Sequence, residues 1–319
     1  MSRQVVRVVG GCQICGGDLR FLLAGGDINY ATTDELFCVF RCVECGAEPI
    51  WPVPTVEEVN KFYPRSYYSL SAPAKSWAGR LREIAVMARF DPSQLRLIMR
   101  VLGSLLERYF LDGLPERRLS TGRTFLDVGC GSGSQVELMH RYGWVARGFE
   151  VNHIEEYACS PEWIISAPKL EASLFDTRFG FIRVWHVLEH VVNPCEFVCA
   201  IRDLLAPNGV VLFGLPNAGG LVARLFGRYW YNRDLPRHVV NYRVASVRHL
   251  LAGAGLRIVE VKYRSVGGVL GSIQNCLSRI GVSVSLLNRF PLVVVVGWLE
   301  WCLDRLRVGD LMVIKAQRI

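Results

Sequence analysis

No run of five or more basic residues occurs anywhere in this 319-residue chain. Its formal charge of +8 is therefore dispersed, and a basic tail does not account for it. A dispersed surplus favours anionic partners: phosphorylated molecules, nucleic acid or an acidic membrane surface. Long apolar runs are also missing. The longest candidate, Pro291-Leu-Val-Val-Val-Val-Gly-Trp-Leu299, falls well short of the roughly 20 residues that a bilayer-spanning helix needs. The opening Met1-Ser-Arg-Gln-Val-Val-Arg-Val-Val9 is too short and is broken by Arg7, so an export signal is not expected. The eleven cysteines are an odd number, and without export a disulfide framework is not expected either. The chain reads as cytoplasmic, with metal ligation and free thiols as the uses of its cysteines. A content of 51% hydrophobic and 21% charged residues excludes a disordered chain.

Four of the cysteines form a pattern. Cys12-Gln-Ile-Cys15-Gly16 and Cys42-Val-Glu-Cys45-Gly46 are two C-x-x-C pairs, each followed by glycine. The glycine permits the tight turn that aims backbone N–H groups at thiolate sulfurs, and four thiolates make a closed tetrahedral structural zinc site. The pairs lie farther apart than is common, with room between them for a hairpin of Leu19–Leu23 and Phe37–Arg41. Zinc on Cys12, Cys15, Cys42 and Cys45 is the expectation for residues 1–60. Residues 61–120 read as a connector, with two amphipathic helices between 76 and 110. Thr55 and Glu58 form a capping box just before it, and Asp91-Pro92 is expected to restart the helix as N-cap and first residue.

From residue 121 onward, strands and helices alternate. Strands are expected at 124–128, 145–150, 162–166, 180–186, 209–215, 257–263 and 311–317, and helices at 134–142, 153–159, 193–205 and 244–254. Alternation of this kind implies an α/β, doubly wound, Rossmann-like sheet, here with seven strands and insertions at 216–243 and 264–309. The first strand runs into Asp127-Val-Gly129-Cys130-Gly131-Ser-Gly133. A strand, a glycine turn and a helix N-terminus form a surface on which a ligand lies against backbone. The second strand ends on Glu150, where an acid can accept both hydroxyls of a ribose. The third glycine of a dinucleotide fingerprint is absent, because Ser134 stands in its place.

Asp127-x-Gly129-x-Gly131-x-Gly133 resembles the first motif of class I S-adenosylmethionine-dependent methyltransferases. Trp185-His-Val-Leu-Glu-His-Val-Val-Asn-Pro194 and Leu205-Ala-Pro-Asn-Gly-Val-Val-Leu-Phe213 resemble the corresponding later segments of a large bacterial group of these enzymes. The paired cysteine knuckles followed by Tyr63–Ser69 resemble zinc-ribbon methyltransferases of polysaccharide and nucleotide-sugar pathways. One departure is Phe179-Gly180, where the family usually has Phe-Asp. The resemblance implies S-adenosylmethionine bound by Asp127, Gly129, Cys130, Gly131, Gly133 and Glu150. It also implies O- or C-methylation of a sugar-containing or glycan-precursor acceptor, either a small molecule or lipid-linked. The Asn/Asp-Pro-Pro-aromatic motif of exocyclic amine methylation is missing, which counts against nucleic acid.

Two histidines are candidate bases. His190 closes His186-x-x-Glu189-His190 after the fourth strand, at a strand-to-loop corner where a zinc-protease helix is not expected. His238 lies in Asp234-Leu-Pro-Arg-His238 at the close of the first insertion, beside Tyr229-Trp-Tyr231, Arg233 and Arg237, a candidate cap for a sugar or phosphate. Either histidine could take a hydroxyl proton during methyl transfer. The stretch 282–303, with Trp298, Trp301, Arg305 and Arg307 in or beside it, is expected either to lie in a membrane interface or to make a buried or homodimer contact. The competing functions are a zinc-ribbon RNA methyltransferase and a non-catalytic zinc-ribbon/Rossmann binding module.

Overall fold

The computed structural model describes residues 11–64, 77–116, 122–151, 157–282, 285–286 and 290–319. Most of the helix expected at 153–159 and the segment 65–69 lie outside these residues. At the N-terminal end, β1 (Leu19–Gly25) and β2 (Phe37–Cys42) pair antiparallel as the expected hairpin. β3 (Glu48–Pro49) follows, and α1 (Val56–Asn60) opens on the expected capping box. The Thr55 N–H donates to Glu58 at 2.7 Å, and the Glu58 N–H donates to the Thr55 hydroxyl at 3.2 Å.

The connector carries α2 (Trp77–Phe90) and α3 (Leu97–Phe110). The helices pack closely because Gly103 has no side chain; a Cβ there would lie 2.4 Å from that of Ala88. The restart at Asp91-Pro92 differs from expectation. Those residues begin a single 3₁₀ turn, Pro92–Gln94, Asp91 makes no side-chain cap, and α3 starts at Leu97 instead. The extended backbone of Leu95 and Arg96 separates the two helical pieces.

The main sheet is built from β4 (Thr124–Val128), β5 (Val145–Glu150), β6 (Ile164–Ser166), β7 (Phe179–Trp185) and β8 (Leu205–Pro216), completed by β10 (Leu256–Arg264) and β11 (Leu311–Arg318). Its order is β10-β11-β8-β7-β4-β5-β6, parallel except for β11, which runs antiparallel to both its neighbours. α4 (Ser134–Arg141), α5 (Pro194–Leu204) and α7 (Val244–Gly253) connect the strands, and this is the seven-stranded doubly wound sheet expected. Chain order reverses beside β4, so the crevice at the carboxyl ends of β4, β5 and β7 is the natural ligand position. Near-continuous apolar strands fill the middle: Phe125, Leu126, Ile182, Val211 and Ile314 are fully buried.

The insertions carry α6 (Leu221–Phe226) and β9 (Val240–Asn241), then α8 (Gly268–Arg279) and α9 (Phe290–Arg305). β9 pairs antiparallel with β3, so the cysteine module and the first insertion share a small sheet. Cys12, Cys42, Cys45 and Val59 belong to the same apolar cluster as Leu126, Ile182 and Val211.

Candidate active site

The glycine turn between β4 and α4 holds Gly129, Gly131 and Gly133 at φ values of 72°, 51° and 80°. Glycine reaches this region without the penalty a Cβ would bring. The space is also committed: a Cβ on Gly129 would lie 2.3 Å from Val187, and one on Gly133 2.5 Å from Cys159. Glu150 ends β5 against this turn. Its Oε2 accepts from the Gly131 N–H at 2.9 Å, and its Oε1 accepts from the Val151 N–H at 3.0 Å. The turn and Glu150 therefore form one hydrogen-bonded unit. Cys130 is buried beneath it, where its sulfur would meet any Cβ added to Gly148. Asp127 lies deeper and is fully buried, with Oδ1 accepting from Arg183 of β7 at 2.7 Å. Burial pushes its carboxyl pKa up, against the pull of Arg183.

At the end of β7 the backbone turns sharply at His186, which has a φ of 53°. Left-handed backbone at a β-carbon residue is held only where surroundings over-determine it. Here His186 Nδ1 donates to Glu189 Oε1 at 3.1 Å. Glu189 is fully buried, and its Oε2 has no hydrogen-bond partner among the described residues. Burial alone would raise the Glu189 carboxyl, but the His186 bond and the nearby histidines bring it down to about 2.

His190, after β7, and His238, at the close of the first insertion, come together with ring centres 4.7 Å apart and edge to face. His190 Nδ1 lies 2.9 Å from the carbonyl oxygen of Arg237, which can only accept, so Nδ1 carries the proton and Nε2 the lone pair. The Tyr63 hydroxyl oxygen lies 2.8 Å from the same nitrogen. His238 is fixed in the same tautomer by the Asn232 carbonyl, 2.8 Å from its Nδ1. Its Nε2 lies 4.0 Å from Asp234. Burial and the neighbouring His238 lower the His190 pKa to about 4. One ligand atom each from Glu189, His190 and His238 falls within 4.8 Å of the others.

Arg233 and Arg237 do not face an acceptor as the sequence suggested. Arg237 is fully buried and bridges Asp27, in the loop of the β1–β2 hairpin, to Asp234, at 2.6 and 2.8 Å. Burial opposes ionisation of Asp27, but Arg237 and Thr32 hold its carboxyl at about 2. Arg233 pairs with the fully buried Glu48 at 3.0 Å, and Arg41 and Arg243 contact the same carboxylate. Trp230 is likewise internal, donating its Nε1–H to Asp310. Sequence reading missed Asp27 and Glu48, and it gave Tyr63 only as the start of the Tyr63–Ser69 resemblance, with no contact to His190. An acid in a loop (Asp27) or in a two-residue strand (Glu48) carries no address for its partner.

The four paired cysteines also converge. Cys12 and Cys45 sulfurs are 3.7 Å apart, those of Cys15 and Cys42 are 3.4 Å apart, and all four offer ligand atoms within 4.8 Å of one another. Gly16 and Gly46 adopt φ of 75° and 76°, and each donates its N–H to the first cysteine's carbonyl of its knuckle. The Cys45 thiol beside Cys12 pulls the Cys12 pKa down to about 5. Two unrelated cysteines sit elsewhere: Cys195, on the first turn of α5, donates to Gln13, and Cys38 is half-buried in the hairpin.

A methyltransferase-domain family model matches residues 88–261, more than half of the chain and all of the β4–β8 crevice. The chain belongs to that methyltransferase family. With its sheet order and glycine turn, it is a class I S-adenosylmethionine-dependent methyltransferase. A ubiquinone biosynthesis O-methyltransferase of Burkholderia thailandensis is 26% identical to it over 156 residues, which cover 44% of this chain and 67% of that protein. Its namesake in Pasteurella multocida is 26% identical over 194 residues, covering 53% and 72%. This methyltransferase thus spans about two thirds of the length of these relatives. Among solved structures, a SAM-dependent methyltransferase from Archaeoglobus fulgidus aligns with 67% of this chain and 92% of its own at 18% identity and a TM-score of 0.43. No described helix of the methyltransferase is long and apolar enough to cross a membrane.

The residues present fit the cofactor that the family uses. The turn from Gly129 to Gly133 offers backbone with three positive-φ glycines, and the Glu150 carboxylate stands at the β5 tip beside it.

Proposed function

We propose that this enzyme methylates a hydroxyl of a sugar-containing or glycan-precursor acceptor, with the His190–His238 pair on the acceptor side. The observation that carries this reading is that pair itself: two imidazoles, both fixed by carbonyls with Nε2 as the acceptor nitrogen, at the end of β7. Bound S-adenosylmethionine supplies a methyl group already activated by its sulfonium. The protein's work is then alignment and removal of one proton. Gly129–Gly133 and Glu150 hold the cofactor's two ends. His238 Nε2 takes the hydroxyl proton as the oxygen–methyl bond forms, and Asp234 stabilises the imidazolium. His190, whose pKa burial holds low, orients the hydroxyl. The O-methyltransferase names of the relatives support oxygen as the methylated atom. The dispersed positive charge and the resemblance to zinc-ribbon methyltransferases of nucleotide-sugar pathways support the acceptor class.

The test is transfer from labelled S-adenosylmethionine to extracts separated into nucleotide sugars, lipid-linked glycans and RNA. Label in the RNA fraction alone would replace the sugar reading, and no label with intact cofactor binding would favour a binding module. His190→Ala and His238→Ala should keep cofactor affinity and lose turnover. A second reading of the same cluster is favoured by the orphaned Oε2 of Glu189: Glu189, His190 and His238 hold a divalent cation against the acceptor oxygen. Turnover abolished by a chelator that leaves the four-cysteine site loaded would select it over direct proton removal.

The four cysteines fit one structural zinc. Metal analysis should give about one zinc per chain, lost in Cys42→Ser with Cys45→Ser; unchanged zinc in that variant would sink the assignment. Val295, Trp298 and Leu299 of α9 face solvent, with Arg305 and Arg307 close by in sequence. This face suits an anionic membrane surface that brings a lipid-linked acceptor to the enzyme. Co-sedimentation with anionic vesicles that is lost in Trp298→Ser with Leu299→Ser would support it. Dimerisation through α9 without vesicle binding would count against it.

A further inference from the structure

We propose that the cavity walled by β7, β8, β11 and the α2–α3 hairpin binds an oxyanion carried on the acceptor, a phosphate or carboxylate attached to a sugar, with Arg82 as the receiving cation. This deepens the sugar-acceptor reading and rests on it. The cavity measures about 190 Å³ and opens beside His186. Its floor is Trp185, which has room because β8 and the chain after α3 carry glycine opposite it. A Cβ at Gly214 would lie 2.4 Å from the indole, and one at Gly113 3.0 Å.

The wall carries more positive than negative charge. Arg264 is matched by Asp112 through two hydrogen bonds, and Arg183 by Asp127 at 2.7 Å. Arg82 has no carboxylate partner among the described residues. Its one hydrogen bond there is from NH2 to the neutral Gln135 amide oxygen, at 2.7 Å. Burial and the neighbouring Arg183 both disfavour its charge, so the pair of guanidiniums is a standing repulsion. Arg183 Nε is buried without a hydrogen-bond partner among the described residues, and its guanidinium lies 5.4 Å from the centre of the Trp185 ring. Unmatched guanidinium N–H groups in a recess favour an oxyanion, because planar donors match carboxylate and phosphate oxygens. An aromatic floor beside them suits a sugar ring.

The position argues for the acceptor rather than the cofactor. The floor is on β7, β8 and β11, whereas the glycine turn and Glu150 are at the ends of β4 and β5. Gln135, on the first turn of α4, borders both.

Isothermal titration of the full-length protein, saturated with S-adenosylhomocysteine, with inorganic pyrophosphate tests the proposal. Wild type should bind, and Arg82→Gln should bind roughly tenfold more weakly or worse, as expected for losing a charge-assisted contact. Its affinity for S-adenosylhomocysteine should stay within about twofold of wild type, a negligible free-energy change. Equal pyrophosphate affinity in wild type and Arg82→Gln would overturn the proposal. So would a parallel loss of S-adenosylhomocysteine affinity, which would give Arg82 to the cofactor's carboxylate. Should the variant fail to fold, phenylglyoxal modification of Arg82 in wild type, read by peptide mass mapping, decides: slowing by pyrophosphate supports the subsite, and no slowing overturns it. Neither readout needs an acceptor, so each stands or falls independently of what the extract fractions show.

Discussion

The two halves of the crevice are built in opposite ways. The cofactor half, at the ends of β4 and β5, uses one contiguous turn and an acid 19 positions from the glycine that donates to it. The half proposed for the acceptor, beyond the end of β7, is held by groups from four distant segments: the β1–β2 hairpin loop, Tyr63, the His186–His190 corner and the first insertion. Arg237 is bonded to Asp27 across 210 positions and supplies the carbonyl that fixes His190. A short-range site keeps its geometry as long as its own strand and helix form. A long-range site depends on how the modules dock, so its geometry can be lost while the cofactor half persists.

The largest effect expected from breaking this asymmetry is at Arg237. Arg237→Ala leaves the Asp27 and Asp234 carboxylates buried without their cation. Losing one partner of such a network costs about 3–5 kcal/mol. Chemical denaturation should show that loss, and methyl transfer should fall steeply. Affinity for S-adenosylhomocysteine, measured by calorimetry on protein still folded, should change little. Equal losses in both would mean that the halves are not separable.

Glu150→Ala sharpens the comparison from the other side. It removes a charged acceptor from the Gly131 N–H and, on the proposed reading, from the cofactor's ribose. Hydrogen bonds to charged groups contribute about 1.5–3 kcal/mol each. Cofactor affinity should drop on the order of tenfold or more, with the His190–His238 geometry unaffected. NAD binding with no S-adenosylmethionine binding in wild type would refute the cofactor assignment.

The most gradual expected effect is one of pH. Asp310 accepts from Trp230 and Asn232 and so anchors the first insertion to β11. Burial raises its carboxyl to about 7; the Trp230 hydrogen bond opposes this, and Glu300 and Asp304 add to it. The folded state thus holds a proton that the unfolded chain releases near the ordinary aspartate value of about 4. Stability from this group is full below that value and is lost as pH rises through about 7. The unfolding midpoint should decline gently between these limits, and Asp310→Asn should flatten the decline. An unchanged slope in that variant would place the titration elsewhere.

Local pattern made the sheet, the glycine turn, Glu150 and the cysteine knuckles legible. Each is a short-range consequence of backbone chemistry: short β-prone apolar runs set strands, glycine allows positive φ, and C-x-x-C-G curls onto its own sulfurs. β4 and β5 match their expected limits residue for residue. The insertion was harder to read, because arginines beside aromatics look like a ligand surface in sequence. Arg233 and Arg237 face inward because the cysteine module brings Glu48 and Asp27 against them. An arginine carries no local mark of whether its carboxylate will come from a ligand or from a distant loop.

By itself, then, the sequence determined the class of fold, the strand order's raw material and the residues of the cofactor turn, since these follow from contacts within a few residues of each other. Only the tertiary structure decided that His190 and His238 would meet, that β3 would pair with β9, and that Arg82 would find no carboxylate among the described residues while Arg183 and Arg264 were matched. Those outcomes depend on which buried charges find partners when separate segments dock, a global balance of desolvation and pairing that no local window contains.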